Sequence, residues 1–188
     1  MSRYRPAWRA TGLVAASVAG IWLATWGVAT LRAGPGHPPG DEAGAATVVD
    51  VVDGDTLVVR IGGSEEPVRL IGIDTPETVA PGRPVECYGS EASQQLESLV
   101  PPGTTVRLER DLEPRDQYGR LLVYVYRADD NLFVNQAMIA DGFAATLVFP
   151  PNTALRAELA QSERAARAQR AGMWGACGGP DTPLAPAN

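Results

Sequence analysis

Two runs of β-branched residues on either side of an Asp-Gly pair restrict what this chain folds into more than any other feature. Residues 47–61 read TVVDVVDGDTLVVRI, and valine-rich runs joined by Asp53-Gly54 are the strongest short-range hairpin signal a sequence offers. Residues 67–73 (PVRLIGI) predict a third strand, ended at Asp74-Thr75-Pro76, because the residue before a proline is pushed out of helical geometry. Helical spacing of Ala92, Leu96, Leu99 and Val100 predicts a short helix over 88–100, with Ser90 as its candidate N-cap. Alternation over 105–109 and the β-rich LLVYVYR of 121–127 predict two more strands. Residues 134–141 read as a helix ended by Gly142, and 153–171 as a long Ala/Arg/Glu helix. Five strands and about three helices, with no alternation of strand and helix, predict an α+β fold: a small barrel with helices packed on it.

With 188 residues the chain holds one ordinary domain plus terminal extensions. Arg3, Arg5 and Arg9 precede an uncharged run of 22 residues, 10–31, which is long enough to span a bilayer. A cleaved signal has a shorter apolar core and a small-residue cleavage site, so the run reads as an uncleaved anchor, with a signal segment as the alternative. The arginine bias puts the N-terminus in the cytoplasm and the rest outside. The expected layout is an anchor or signal over 1–32, a Gly/Pro-rich linker over 33–45, a folded domain over 46–178 and a disordered tail over 179–188. The domain is expected at the cell membrane outside the cytoplasm, or secreted if the segment is cleaved, and as a monomer.

Composition narrows the chemistry. All 16 basic residues are arginine and the single histidine, His37, lies in the expected linker, which makes a histidine base, a Ser-His-Asp triad or a histidine zinc site improbable. Acid–base and metal work falls to carboxylates, tyrosine or backbone oxygens. Asp53-Gly54-Asp55 is by itself an ordinary turn, and Asp74-Thr75-Pro76-Glu77 an ordinary helix start. Arg69 is harder to dismiss, since a charge within an apolar strand is costly unless something pairs with it. If the first three strands are neighbours, Asp55 and Asp74 converge, and two such carboxylates suit a hard cation, Ca²⁺ or Mg²⁺, rather than zinc.

VVDGDTLVVRI, VRLIGIDTPET, YGSEA, DQYGRLLVYVY and NQAMIADGFA follow one another in the order and with the spacing of the micrococcal nuclease (thermonuclease) family, which the chain resembles over about residues 48–174. The resemblance implies a five-stranded OB-type barrel and Ca²⁺-dependent hydrolysis of phosphodiester bonds in DNA and RNA. It implies Asp55, Asp74 and the Thr75 carbonyl as calcium ligands and Glu77 as the catalytic glutamate. Arg69 and Arg120 fall on the family's phosphate-clamping arginines, and Tyr118 on the tyrosine beside the bound nucleotide. Phe149 stands where the family commonly has a tyrosine, so it stacks a base without donating a hydroxyl hydrogen bond.

Beyond residue 32 there are 12 arginines against 22 acidic residues, a net charge of −10, which opposes binding to nucleic acid through bulk electrostatics. Arg156, Arg164, Arg167 and Arg170 form either a local basic stripe or a solvated helix face. Cys87 and Cys177 are most simply a disulfide in an oxidising exterior, and two buried free thiols are the alternative. A second functional class stays open: a catalytically silent barrel that binds nucleic acid, a protein partner or calcium at the cell surface. Against that class, Asp55, Arg69, Asp74, Glu77 and Arg120 are all present.

Overall fold

The computed structural model describes residues 42–78 and 85–184; the predicted membrane segment, most of the linker and the last four residues lie outside them. Strand β1 (Glu42–Asp53) turns into β2 (Thr56–Ile61), which turns again into β3 (Ser64–Leu70). The two-residue β4 (Ile73–Asp74) leads toward helix α1 (Gly89–Leu99). Strands β5 (Thr105–Arg115) and β6 (Leu121–Arg127) follow, then α2 (Val134–Ala140) and the short β7 (Ala145–Thr146). Helices α3 (Arg156–Gln169) and α4 (Met173–Ala176) complete the fold.

The first, second, third, sixth and fifth strands close into a barrel in that order, and β4 pairs with β7 apart from it. All barrel pairings are antiparallel except β3 with β6, which are parallel from Val68↔Leu121 to Leu70↔Val123. Leu57, Val59, Val68, Leu70, Leu108 and Val123 are fully buried inside. Each such side chain contributes about 1.5–3 kcal/mol relative to its exposed state. Ala92 and Leu96 of α1 and Leu159 of α3 join the same core, while Ala145, Ala166, Met173 and Trp174 form a second, smaller one.

Several expected elements shift. β1 begins at Glu42, inside the stretch read as linker, because 42–47 pair with β5. The expected third strand divides: β3 stops at Leu70, the chain turns at Ile71-Gly72, and Ile73-Asp74 pair with β7 instead. β5 runs on to Arg115 through an irregularity after Arg110. The Asp74–Glu77 stretch is not a helix start. Helix α1 has no side-chain N-cap, its preceding residue Tyr88 sits at φ 77°, and Ser90 Oγ bonds Glu91. Helix α3 starts three residues later than expected, and just before it Ala154 N–H donates to Asp111 and Leu155 N–H to the Tyr124 hydroxyl. Thr182 and Leu184, within the expected tail, hydrogen-bond to residues 85 and 87. Among the described residues no helix is long and apolar enough to cross a membrane.

Candidate active site

The tight β1–β2 turn sets one wall of the site. Its central residues are Gly54 and Asp55, since Asp53 pairs with Thr56. Glycine is required at 54 by close packing, because a Cβ there would come 2.8 Å from Thr75 Oγ1 and 2.9 Å from Ala92 Cβ. That approach brings Asp55 against the 74–75 segment. Asp55 Oδ2 accepts from Thr75 N–H and Thr75 Oγ1, both at 3.2 Å, and Oδ1 accepts from Thr56 Oγ1 at 3.1 Å.

Arg69, one residue before the end of β3, joins the two carboxylates. Its Nη2 lies 2.8 Å from Asp55 Oδ2 and 3.1 Å from Asp74 Oδ1. Its Nη1 donates to the carbonyls of Leu70 at 2.8 Å and Ile73 at 3.0 Å. A guanidinium held by four acceptors is fixed in orientation as an ammonium could not be, and here it answers the question of what pairs with a charge in an apolar strand.

Burial pushes the Asp55 carboxyl from 3.8 to about 7; Arg69 opposes the shift, and the Asp53 and Asp74 carboxylates add to it. Asp74 is likewise raised, first by burial and then by Asp181, Glu86 and Glu77, against the pull of Arg69. One arginine therefore leaves this corner short of positive charge. Hard oxygen donors in such surroundings fit a cation of the Ca²⁺ or Mg²⁺ type. Among the described residues no three His, Cys, Asp or Glu side chains are grouped to hold a metal, so a bound ion would need backbone carbonyl or water oxygens besides the two carboxylates.

Arg120 reaches the same corner from the β5–β6 turn. Asp116 accepts its N–H at 3.0 Å and its Nε–H at 2.7 Å, and the Tyr118 N–H at 2.9 Å. Burial pushes the Asp116 carboxyl up, but these hydrogen bonds outweigh it and hold the group below its ordinary value. Arg120 Nη1 meets Thr56 Oγ1 at 3.5 Å, so Thr56 stands between Arg120 and Asp55. Nη2 of Arg120 makes no hydrogen bond among the described residues, and the guanidinium lies 5.5 Å from the Tyr118 ring centre. An open cleft of about 370 Å³ runs past Arg69, Arg120, Tyr118 and Phe149. Both aromatic rings are largely exposed.

Of the residues singled out in the sequence, Asp55, Arg69, Asp74 and Thr75 form one hydrogen-bonded group, and Arg120 joins it through Thr56. Tyr118 and Phe149 line the adjoining cleft rather than that group. Glu77 lies on the irregular segment three residues past Asp74, close enough for its charge to raise Asp74. Thr56, Asp116 and Asn152 escaped sequence reasoning. Asn152 is buried and exchanges two hydrogen bonds with the Glu113 backbone, pinning the loop that carries Phe149 to β5. For Thr56 and Asp116 the signal was adjacency, to Asp55 and within DQYGR; Asn152 gave none. Among the arginines of α3, Arg167 pairs with Glu163 and covers the Trp174 ring at 4.1 Å.

Comparison with known proteins agrees with this geometry. The model of the staphylococcal nuclease homologue family matches residues 67–176. A thermonuclease of Staphylococcus intermedius is 40% identical over 124 residues, covering 66% of this chain and 72% of that protein. A thermonuclease of Staphylococcus hyicus is 35% identical over 127 residues, 68% of this chain and 73% of its own length. Endonuclease YncB of Bacillus subtilis is 34% identical over 150 residues, 78% of this chain and 70% of its own length. With its closed barrel, its paired arginines and a match of this extent, the chain belongs to the staphylococcal nuclease family.

Proposed function

We propose that the protein is a Ca²⁺-dependent phosphodiester hydrolase that cleaves DNA and RNA outside the cytoplasm. The observation that carries this reading is the convergence of two arginines, the buried Asp55 and the half-exposed Asp74 on one corner of a barrel beside an open, aromatic-edged cleft. The thermonuclease and endonuclease names of its relatives point the same way.

Hydrolysis of a phosphodiester builds negative charge on the equatorial oxygens and on the leaving oxygen. Arg120 presents a planar fork that can meet two phosphate oxygens at once, and Arg69 would do so on giving up part of its hold on the Asp55 and Asp74 carboxylates. Arg120, with Nη2 unengaged, offers donors without breaking a hydrogen bond, and Asp116 keeps it aimed. Glu77 orders the attacking water and accepts its proton, the role left to a carboxylate in a domain with no histidine. Tyr118 and Phe149 stack the flanking bases, which is contact that does not depend on base identity. Asp55, Asp74 and the Thr75 carbonyl would hold Ca²⁺, whose chemistry when bound is that of a Lewis acid and template.

Support for this location comes from the apolar run at 10–31 and from the Cys87–Cys177 disulfide, a bond that persists in oxidising compartments. We take the protein to act as a monomer anchored by that run. Full-length protein incubated with single-stranded DNA should cut it with Ca²⁺ and leave it whole in excess chelator. DNA intact under both conditions would instead favour a binding module.

A further inference from the structure

The backbone of Glu77 is gripped from two sides. Its N–H donates to Glu86 Oε2 at 2.9 Å, and the Glu86 N–H donates back to the Glu77 carbonyl at 2.9 Å. Opposite, Gly89 packs so closely that a Cβ there would come 2.8 Å from the Glu77 carbonyl oxygen. One residue's main chain is thus held by a reciprocal pair of hydrogen bonds and a steric stop.

Glu86 lies outside every helix and barrel strand, and its own support comes from the C-terminal segment. The Cys87 N–H donates to the Thr182 carbonyl at 2.7 Å, and the Leu184 N–H to the Val85 carbonyl at 2.9 Å. Glu86 itself bridges Pro183. Cys87 is bonded to Cys177, which directly follows α4 and its buried Met173 and Trp174. A connected path therefore runs from a buried helix through a covalent bond to Glu86, and from Glu86 to Glu77. A two-stranded ribbon is marginal without further support, so the covalent bond is what keeps the 85–87 segment in register.

We infer that Glu86 is a positioning residue for Glu77 and that the Cys87–Cys177 disulfide keeps Glu86 in that role, so that hydrolysis requires the bond to be formed. The inference rests on Glu77 taking part in the reaction as proposed above. A dithiol supplies the two electrons and two protons that convert the bond into two thiols, and is itself oxidised to a cyclic disulfide.

The test compares oxidised protein, protein reduced with a dithiol, Glu86→Ala and Glu86→Gln, with Ca²⁺ and single-stranded DNA, below the melting temperature of the reduced form. Reduction and Glu86→Ala should each lower kcat about tenfold or more with KM unchanged, the signature of a displaced group rather than a lost binding contact. Glu86→Gln should retain near-parental kcat, because its amide oxygen still accepts the Glu77 N–H. Reduced Glu86→Ala should be no slower than either change alone. Hydrogen exchange at the Glu77 amide should quicken in both. Unchanged kcat after complete reduction, losses that multiply when combined, or unaltered exchange at Glu77 would overturn the inference. If reduction unfolds the chain, oxidised Glu86→Ala decides, and parental kcat in it is fatal. Oxidised parent that leaves DNA intact overturns the functional reading instead, while exchange at Glu77 still reports on the clasp.

Discussion

Arg69 carries the site at the scale of single residues. Its two terminal nitrogens serve two carboxylates and two carbonyls, a division that only a planar, multi-donor head achieves. Arg69→Lys and Arg120→Lys keep the charge and lose the fork, and Glu77→Gln keeps the volume and loses the basicity. Each should lower turnover about a hundredfold with the circular dichroism unchanged, the size typical of removing one preorganised charge-stabilising group; parental turnover in all three would remove them from the reaction. Asp55 supplies a pH dependence. Its folded value of about 7 lies above the ordinary 3.8, so its contribution to stability is full below the lower value and is lost as pH rises through the upper one. Protein kept in chelator should therefore lose melting temperature between about pH 4 and 7 on this account, with Asp74 acting in the same direction. Saturating Ca²⁺ should suppress that decline, because an ion bound at the carboxylates favours their charged form. A calorimetric scan series with and without Ca²⁺ checks it, and parallel curves would contradict it.

At the scale of elements, Asn135 in α2 matters most. Fully buried, it accepts the Val125 N–H of β6 at 2.9 Å and donates to the Ile71 carbonyl at 2.9 Å, in the turn between β3 and β4. Three elements next to the site thus share one side chain. Asn135→Leu would strand a buried donor and a buried acceptor, at a cost of about 2–5 kcal/mol. Denaturant unfolding should show a lower midpoint at unchanged slope, and a midpoint within error of the parent would refute the assignment. The element-level reading of the sequence succeeded where a pattern is local, as in the DG hairpin, the LLVYVYR strand and the Ala92–Leu96 face. It failed at ends: the third strand reads on to Ile73 because the apolar run continues, although β3 stops at Leu70 and Ile73 and Asp74 leave the barrel for β7. Side chains from distant segments, Asp111 and Tyr124, hold the N–H groups just before α3, and local propensity does not show them.

The net charge of the folded region opposes the approach of a polyanion. With −10 beyond the first 32 residues and, on the proposed function, Arg69 and Arg120 as the phosphate contacts, affinity for single-stranded DNA should depend only weakly on salt. Two contacts give a slope of log K against log salt of about −1.4, from roughly −0.7 per phosphate neutralised. Titrations with Glu77→Gln, which spares the substrate, measure it; a slope steeper than about −3 would mean that other arginines, those of α3 foremost, hold the strand as well.

Residue identity alone settled the kind of chemistry available. With no lysine and no histidine in the domain, positive charge there comes from arginine alone and side-chain acid–base chemistry is left to carboxylates and tyrosine, and that holds in any fold. Local pattern settled the hairpin, the barrel strands and three of the four described helices, though not their ends, since periodicity and turn chemistry act over a few residues. Tertiary structure alone decided the parallel β3–β6 pairing that closes the barrel, the meeting of Asp55 with Arg69, Asp74 and Thr75, and the docking of residues 182–184 beside Glu86. Each is a contact between segments far apart in the chain, and its energy comes from shared burial and complementary charge, which no single segment carries.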